Sequence, residues 1–306
     1  MRSSVRHITS FLALITMHVV LSTSCFREEG EANPMENIVL ESCAKVNYDL
    51  ANDYRVNNVA RSGQGMAISG NKMFRLFDTG ICQEISISDI QRPKPISSYK
   101  LGSYGAENHC NCAKIDHTVE GESFIYISSV RSLNGLRGKC FVERIGNSSS
   151  SLVQTISLDS SELLKNYKGV DITCGDDGYL WIFGYDISGG TMIYVKARKP
   201  SLDEGSEVVL TDDDLIDWWY DSDYTYDKSV TQGGTVHKGR LYVLFGTPNT
   251  NRHIVVYNIS THQKIGDVDL NKQVKEEPED IDFHEDKMVL AIFQGKGYYA
   301  LTFKGV

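Results

Sequence analysis

Six polar residues fall at matching places along the chain and carry the types needed for ligand chemistry: Gln64, His109, Asn111, Asp171, Gln232 and Glu279. They offer two carboxylates, one imidazole and three amides. Such a set can hydrogen-bond sugar hydroxyls or the polar groups of a peptide. The same residue types also serve as structural ties, bonding to the backbone of a neighbouring strand. A single imidazole such as His109 is more often a hydrogen-bonded core group than a base or metal ligand. Both readings of the set stay open on sequence alone.

A second candidate is the acidic and aromatic stretch from Asp212 to Asp227, read here as an insertion with Trp218, Trp219, Tyr220, Tyr224 and Tyr226 among aspartates. Aromatic faces beside carboxylates grip sugar rings, and oxygen-rich loops hold calcium. Asp221, Asp223, Thr225 and Asp227 imitate the start of a calcium loop but lack its Gly at position 6 and its closing Glu. The alternative is an exposed acidic turn whose tryptophans pack on the outside of the fold. Cys110 and Cys112 are two apart in an expected strand and so face one side. No second closely spaced pair with a nearby His completes a zinc set, so no metal is expected. The cysteines after Cys25 are read as buried thiols or as one or two disulfides.

Other chemistries are excluded by what is missing. No G-x-S-x-G elbow marks a serine nucleophile, and no glycine-rich phosphate loop precedes a helix, so no cofactor is expected. A net charge of -9 argues against nucleic acid, which needs a basic face.

The elements that position these residues are strands. Gln64–Thr79 aligns without gaps to Gln232–Thr247, pairing Gln64-Gly65 with Gln232-Gly233, Ile68 with Val236, and Lys72-Met73-Phe74 with Arg240-Leu241-Tyr242. A third copy starts at Glu279-Asp280-Ile281-Asp282-Phe283 and runs into Lys287-Met288-Val289-Leu290. Looser copies begin at His109 and Val170. Each reads as a short strand, a polar turn and a more apolar strand. Further strands complete the unit, as in Ile254–Ile259 followed by Lys264–Leu270. The starts near 64, 109, 170, 232 and 279 are 45, 61, 62 and 47 residues apart, which predicts loop insertions in the second and third units.

Four antiparallel strands repeated around an axis make a β-propeller. The expectation is an all-β, single propeller of five blades, or six if an insertion hides one. Its first strands line the axis, so the six polar residues converge at one mouth, and Gly65 and Gly233 suit crowded inner strands. The last strand, Tyr298–Phe303, leaves its blade one strand short. A segment near Val39-Leu40 or Val46-Asn47-Tyr48 is expected to complete it and close the ring.

The N-terminus reads as a secretion signal. Arg2, Arg6 and His7 precede an apolar run from Ile8 to Leu21, then Ser22-Thr23-Ser24-Cys25. The run is too short to span a bilayer. Small residues before Cys25 resemble a bacterial lipobox, whose cysteine is lipidated; an ordinary secretory signal with an incidental Cys is the alternative. The expected organisation is a signal peptide over 1–24, a tether over 25–37 and a propeller over 38–306.

The repeats and the lipobox together resemble the propeller-repeat lipoproteins of Bacteroidota, in the style of TolB-like and NHL-type propellers. That resemblance implies a monomer lipid-anchored to the outer membrane of a bacterial envelope, binding a glycan, peptide or protein. The alternative is a carbohydrate-active hydrolase or lyase. Five-bladed glycosidases use inner-strand carboxylates, and Asp171, Asp280 and Glu279 fit those roles, but Gln64 stands where such enzymes place an acid.

Overall fold

The computed structural model describes residues 38–48, 62–105, 108–116, 122–129, 138–186, 191–224, 230–293 and 297–305. Residues 1–37, with Cys25 and the expected signal and tether, lie outside these, as do Thr225 and Asp227.

Strand β1 (Val39–Val46) is followed by five sheets. The first blade is β2 (Gly63–Ser69), β3 (Lys72–Phe77), β4 (Ile81–Ser86) and β5 (Lys94–Lys100). The second is β6 (Cys112–Asp116), β7 (Phe124–Ser129), β8 (Lys139–Ile145) and β9 (Ser150–Ser157). The third holds β10 (Tyr167–Cys174), β11 (Leu180–Asp186) and β12 (Met192–Ala197), then, after β13 (Glu207–Val209), β14 (Leu215–Asp221). The fourth is β15 (Thr231–His237), β16 (Arg240–Phe245), β17 (His253–Asn258) and β18 (Lys264–Asp269). The fifth is β19 (Pro278–His284), β20 (Lys287–Ile292) and β21 (Tyr298–Lys304), with β1 antiparallel to β21 as its outer strand.

Local chemistry explains these hairpins. Between β15 and β16 only Lys238 and Gly239 intervene, at φ 48° and 73°, the two left-handed positions of a primed turn that matches strand twist. Burial follows radial position. β6 and β19 are buried throughout, whereas β5 and β14 alternate with solvent. Inner strands have both faces covered by neighbouring blades, and outer strands do not.

The inner strands touch in a closed circuit: β2 to β6, β6 to β10, β10 to β15, β15 to β19, and β19 back to β2. Five hydrophobic clusters fill the junctions. One joins Met66, Phe77 and Ile85 of the first blade to Val289, Ala291 and Tyr298 of the fifth. The structure is therefore a five-bladed propeller.

The insertion in the third unit falls where the longer spacing puts it. In the third blade the chain leaves β12, makes a single 3-10 turn at Leu202–Glu204, and lays β13 parallel to β9 of the second blade. The Gln154 side chain donates to the carbonyls of Ser201 (2.9 Å) and Gly205 (3.1 Å), fixing this strap.

Candidate functional site

The axis is not an empty channel. Asp280, fully buried, accepts from the amides of Met66 (2.8 Å), Ala113 (2.9 Å) and Ile281 (2.9 Å). Asp282, also fully buried, accepts from the amides of Ile68 and Phe283 (2.8 Å each), from Lys114 Nζ (2.6 Å) and from Thr235 Oγ1 (3.2 Å). The Cys112 thiol donates to the Gly234 carbonyl at 3.2 Å. Inner strands belong to different sheets, so their facing amides lack ladder partners. The two β19 aspartates fill that need, because a buried N–H without an acceptor is costly.

Asp171 plays a similar part between the second and third blades. Ser128 Oγ donates to its carboxylate at 3.2 Å and accepts from the Ile172 amide at 3.1 Å. Burial pushes the Asp171 carboxyl up to about 8, and the Ser128 bond only partly opposes it. Burial also drives Asp280 well above the usual carboxylate range despite its amide donors. Close packing at this level explains the inner glycine: a Cβ on Gly65 would lie 2.5 Å from the Cys110 carbonyl oxygen.

One step outward, Gln64, Gln232 and Glu279 take equivalent places at the starts of β2, β15 and β19. Gln64 is buried, and its carbonyl accepts from Arg75, whose guanidinium also donates to the carbonyls of Gly65 (2.8 Å) and Ile292 (2.7 Å). Gln232 is half-buried and donates from Nε2 to the Gly246 carbonyl (2.7 Å) and to Glu277 Oε1 (3.1 Å). Glu279 is 4% exposed, and no described residue donates a hydrogen bond to its carboxyl. Burial, then the Glu277 charge, hold it well above the usual range, with Arg75 opposing. Glu277 is raised as well, by burial, against Gln232 and Arg252.

The six expected residues thus do not form one ring of equals. Asn111 lies just ahead of β6, its amide bonded to the Ser128 carbonyl at 2.9 Å. His109 lies further out in the same loop, its Nδ1 2.9 Å from Asp78 Oδ1. Asp171 sits deeper, level with the axial aspartates. Cys110 is not in a strand beside Cys112: it precedes β6 with φ 57°, and Asn108 Oδ1 accepts from its amide (3.1 Å) and its thiol (3.2 Å). Cys43, Cys82, Cys110, Cys112, Cys140 and Cys174 are free thiols.

Sequence reasoning passed over Glu277, Arg75, Lys114 and Asp282. A charged residue inside the apolar run Lys72–Phe77 was a signal for Arg75. At the opposite end of the inner strands lies a cleft of about 620 Å³ that the sequence did not suggest. Its cations are already matched: Lys199 with Asp116 (2.5 Å), Arg144 with Glu122 (3.3 Å), and Arg198 with Glu204 (2.6 Å) and Asp214 (2.8 Å).

The acidic and aromatic stretch is not an inserted turn. Its centre is β14, outer strand of the third blade, where Trp219 packs inward, stacked on Tyr194 and His262 with centroids 5.2 and 4.5 Å apart, and beyond the strand Tyr224 is buried against Phe245. Trp218 is 45% exposed. Asp221 accepts from the Tyr257 hydroxyl at 2.7 Å, and Lys264 pairs with Asp223. Among the described residues no group of three or more His, Cys, Asp or Glu side chains is placed to hold a metal.

No family model matches the chain, and no curated protein matches it. Among solved structures it resembles the tail fibre of a Staphylococcus aureus phage at 16% identity and TM-score 0.49, over 85% of this chain and 52% of that one. The chain thus spans about half the length of that fibre chain. It also resembles a catalytically inactive virginiamycin B lyase from Staphylococcus aureus at 12% identity and TM-score 0.46, over 85% of this chain and 99% of that one. A third likeness is to the GH43 endo-arabinanase from Bacillus licheniformis, at 13% identity and TM-score 0.44, over 82% and 95%.

Proposed function

We propose that this propeller is a non-catalytic binding module of a bacterial envelope, taking a glycan, peptide or protein ligand where its inner strands begin. The supporting observation is a division among the inner-strand carboxylates. Asp171, Asp280 and Asp282 are spent on amides, hydroxyls and Lys114 of neighbouring strands. Glu279 accepts from no described residue, and half-buried Gln232 and Glu277 stand beside it at the mouth. A group that gives up water without gaining a partner is destabilising, and a ligand donor removes that cost.

A hydrolase is the second reading, because a carboxyl raised by burial beside another carboxylate has the character of a general acid. A glycan-array screen with a reducing-end release assay separates the two. The expected result is binding without turnover, weakened about tenfold or more in Glu279→Gln, the loss of one charge-assisted hydrogen bond. Release of reducing ends by the wild type, abolished in Glu279→Gln, would replace the binding module with the hydrolase.

The proposal includes removal of residues 1–24 and lipidation of Cys25, which hold the propeller at the outer membrane. Its basis is the basic start, the short apolar run and the small residues before Cys25. Labelled palmitate is expected to enter the wild type in cells and not Cys25→Ala. Equal labelling of both would end the claim.

A further inference from the structure

We infer that the ligand taken at the mouth presents a primary ammonium or guanidinium group, which enters beside Glu279 and Glu277. The inference rests on the reading of the mouth as a binding site and adds the chemical class of what enters it.

The first argument is the state of Glu279. Glu279 is 4% exposed as a residue, yet no described residue donates to its carboxyl. Every other carboxylate buried on the axis has found donors: three amides for Asp280, a lysine, a hydroxyl and two amides for Asp282, and a serine for Asp171. Glu279 departs from a rule that its neighbours obey, and it does so at the strand start rather than in the packed interior.

The second argument is the direction of the nearby cations. Arg75 and Arg252 are the positive groups whose charge reaches this pair. Arg75 aims Nη1 and Nη2 at the carbonyls of Gln64, Gly65 and Ile292. Arg252 aims Nε at the Glu276 carbonyl (3.0 Å) and Nη2 at those of Pro248 (3.2 Å) and Lys275 (3.3 Å). Neither donates to Glu277 or Glu279 through these bonds. Glu277 receives one neutral donor, the Gln232 amide. Lys114, the positive group deeper on the axis, is held by Asp282 and Thr235.

Glu277 and Asp280 therefore both oppose a negative charge on Glu279, in addition to burial. A neutral hydroxyl would satisfy the missing hydrogen bond of Glu279 but leave that repulsion in place. An ammonium or guanidinium answers both needs at once. A desolvated charge pair of this kind discriminates strongly against a neutral isostere.

An amino sugar and a basic peptide side chain share this head group, and the test has an arm for each. Calorimetric titrations at pH 7 compare glucosamine with N-acetylglucosamine, and the peptide Gly-Lys-Gly, acetylated at its N-terminus and amidated at its C-terminus, with its side-chain-acetylated twin. The expected result is that at least one charged probe binds about tenfold or more tightly than its neutral twin. Both Glu279→Gln and Glu277→Gln are expected to remove that difference, while Glu122→Gln at the opposite cleft keeps it. Glu277 is half-buried, so its variant tests the inference even if Glu279→Gln fails to fold. Equal binding of charged and neutral probes, lost in Gln232→Ala, would overturn the inference and leave the mouth as a binding site. Charged-probe binding that survives both glutamate variants would overturn it too. Absence of binding by every probe overturns the inference, whereas a glycan array without any binding counts against the site itself.

Discussion

A chain that begins at residue 51 should melt about 10 °C or more below one that begins at residue 25, while a chain that begins at residue 35 should melt with the longer one. The difference is β1. It pairs along its length with β21, from Val39 opposite Lys304 to Val46 opposite Tyr298. It also brings apolar weight to two junctions. Ile38, Leu40 and Cys43 pack into the cluster between the fourth and fifth blades, and Val46 into the one between the fifth and the first. Without β1, the backbone edge of β21 opens to water and Tyr299, Leu301 and Phe303 lose their cover. Lys45 would also leave Glu276, a residue that the Tyr299 hydroxyl holds as well. Burial would raise the Glu276 carboxyl, yet Lys45 and Tyr299 outweigh it and bring it to about 2. The summed cost is several kcal/mol, against a whole-domain stability of about 5–15 kcal/mol. Equal melting temperatures for the chains starting at 35 and 51 would show that β1 does not support the ring.

The second large effect belongs to the axial pair of Asp282 and Lys114. Asp282→Ala should cost about 3–5 kcal/mol, because it strands a buried ammonium and removes the acceptor of the Ile68 amide. Lys114 shows how much the pair depends on itself. Burial would lower its pKa, but the charge and hydrogen bond of Asp282 keep it raised. Lys114→Met should cost a similar amount, since it leaves the carboxylate without its cation. The double variant Lys114→Met with Asp282→Leu replaces both charges with apolar volume and should be much less destabilised than the two singles combined. Its remaining cost is the Ile68 and Phe283 amides and the Thr235 hydroxyl, which lose Asp282 as acceptor, about 1–3 kcal/mol for each group left unsatisfied. A double-mutant cycle from urea unfolding measures the coupling. Additive single effects, within about 0.5 kcal/mol, would show that the two side chains do not act as a pair.

Two features of the chain explain why its architecture could be read before its site. Strand and hairpin signals are local, and here they repeat: Gln64-Gly65, Gln232-Gly233 and Glu279-Asp280 mark three inner strands with one pattern. Repetition lets weak local signals support one another, so five blades and the starts of the inner strands were legible. The spacing of the repeats also pointed to the insertion in the third unit. The acidic stretch around Trp218 misled because its aspartates read as turn residues, whereas pairing of β14 with β12 makes it a strand.

The roles of the polar residues were settled elsewhere. Glu279, Asp280 and Asp282 are near neighbours of one chemical type on one strand, and nothing local separates them. Asp280 meets amides of Met66 and Ala113, more than 160 residues away in sequence, and Asp282 meets Lys114 at a similar remove. Glu279, one residue earlier, projects where no described donor waits. Strands, turns and repeat count follow from the order of neighbouring side chains. Which carboxylate ties the ring together and which is left for a ligand was decided only when distant blades met, because a buried charge takes its role from the partners that surround it.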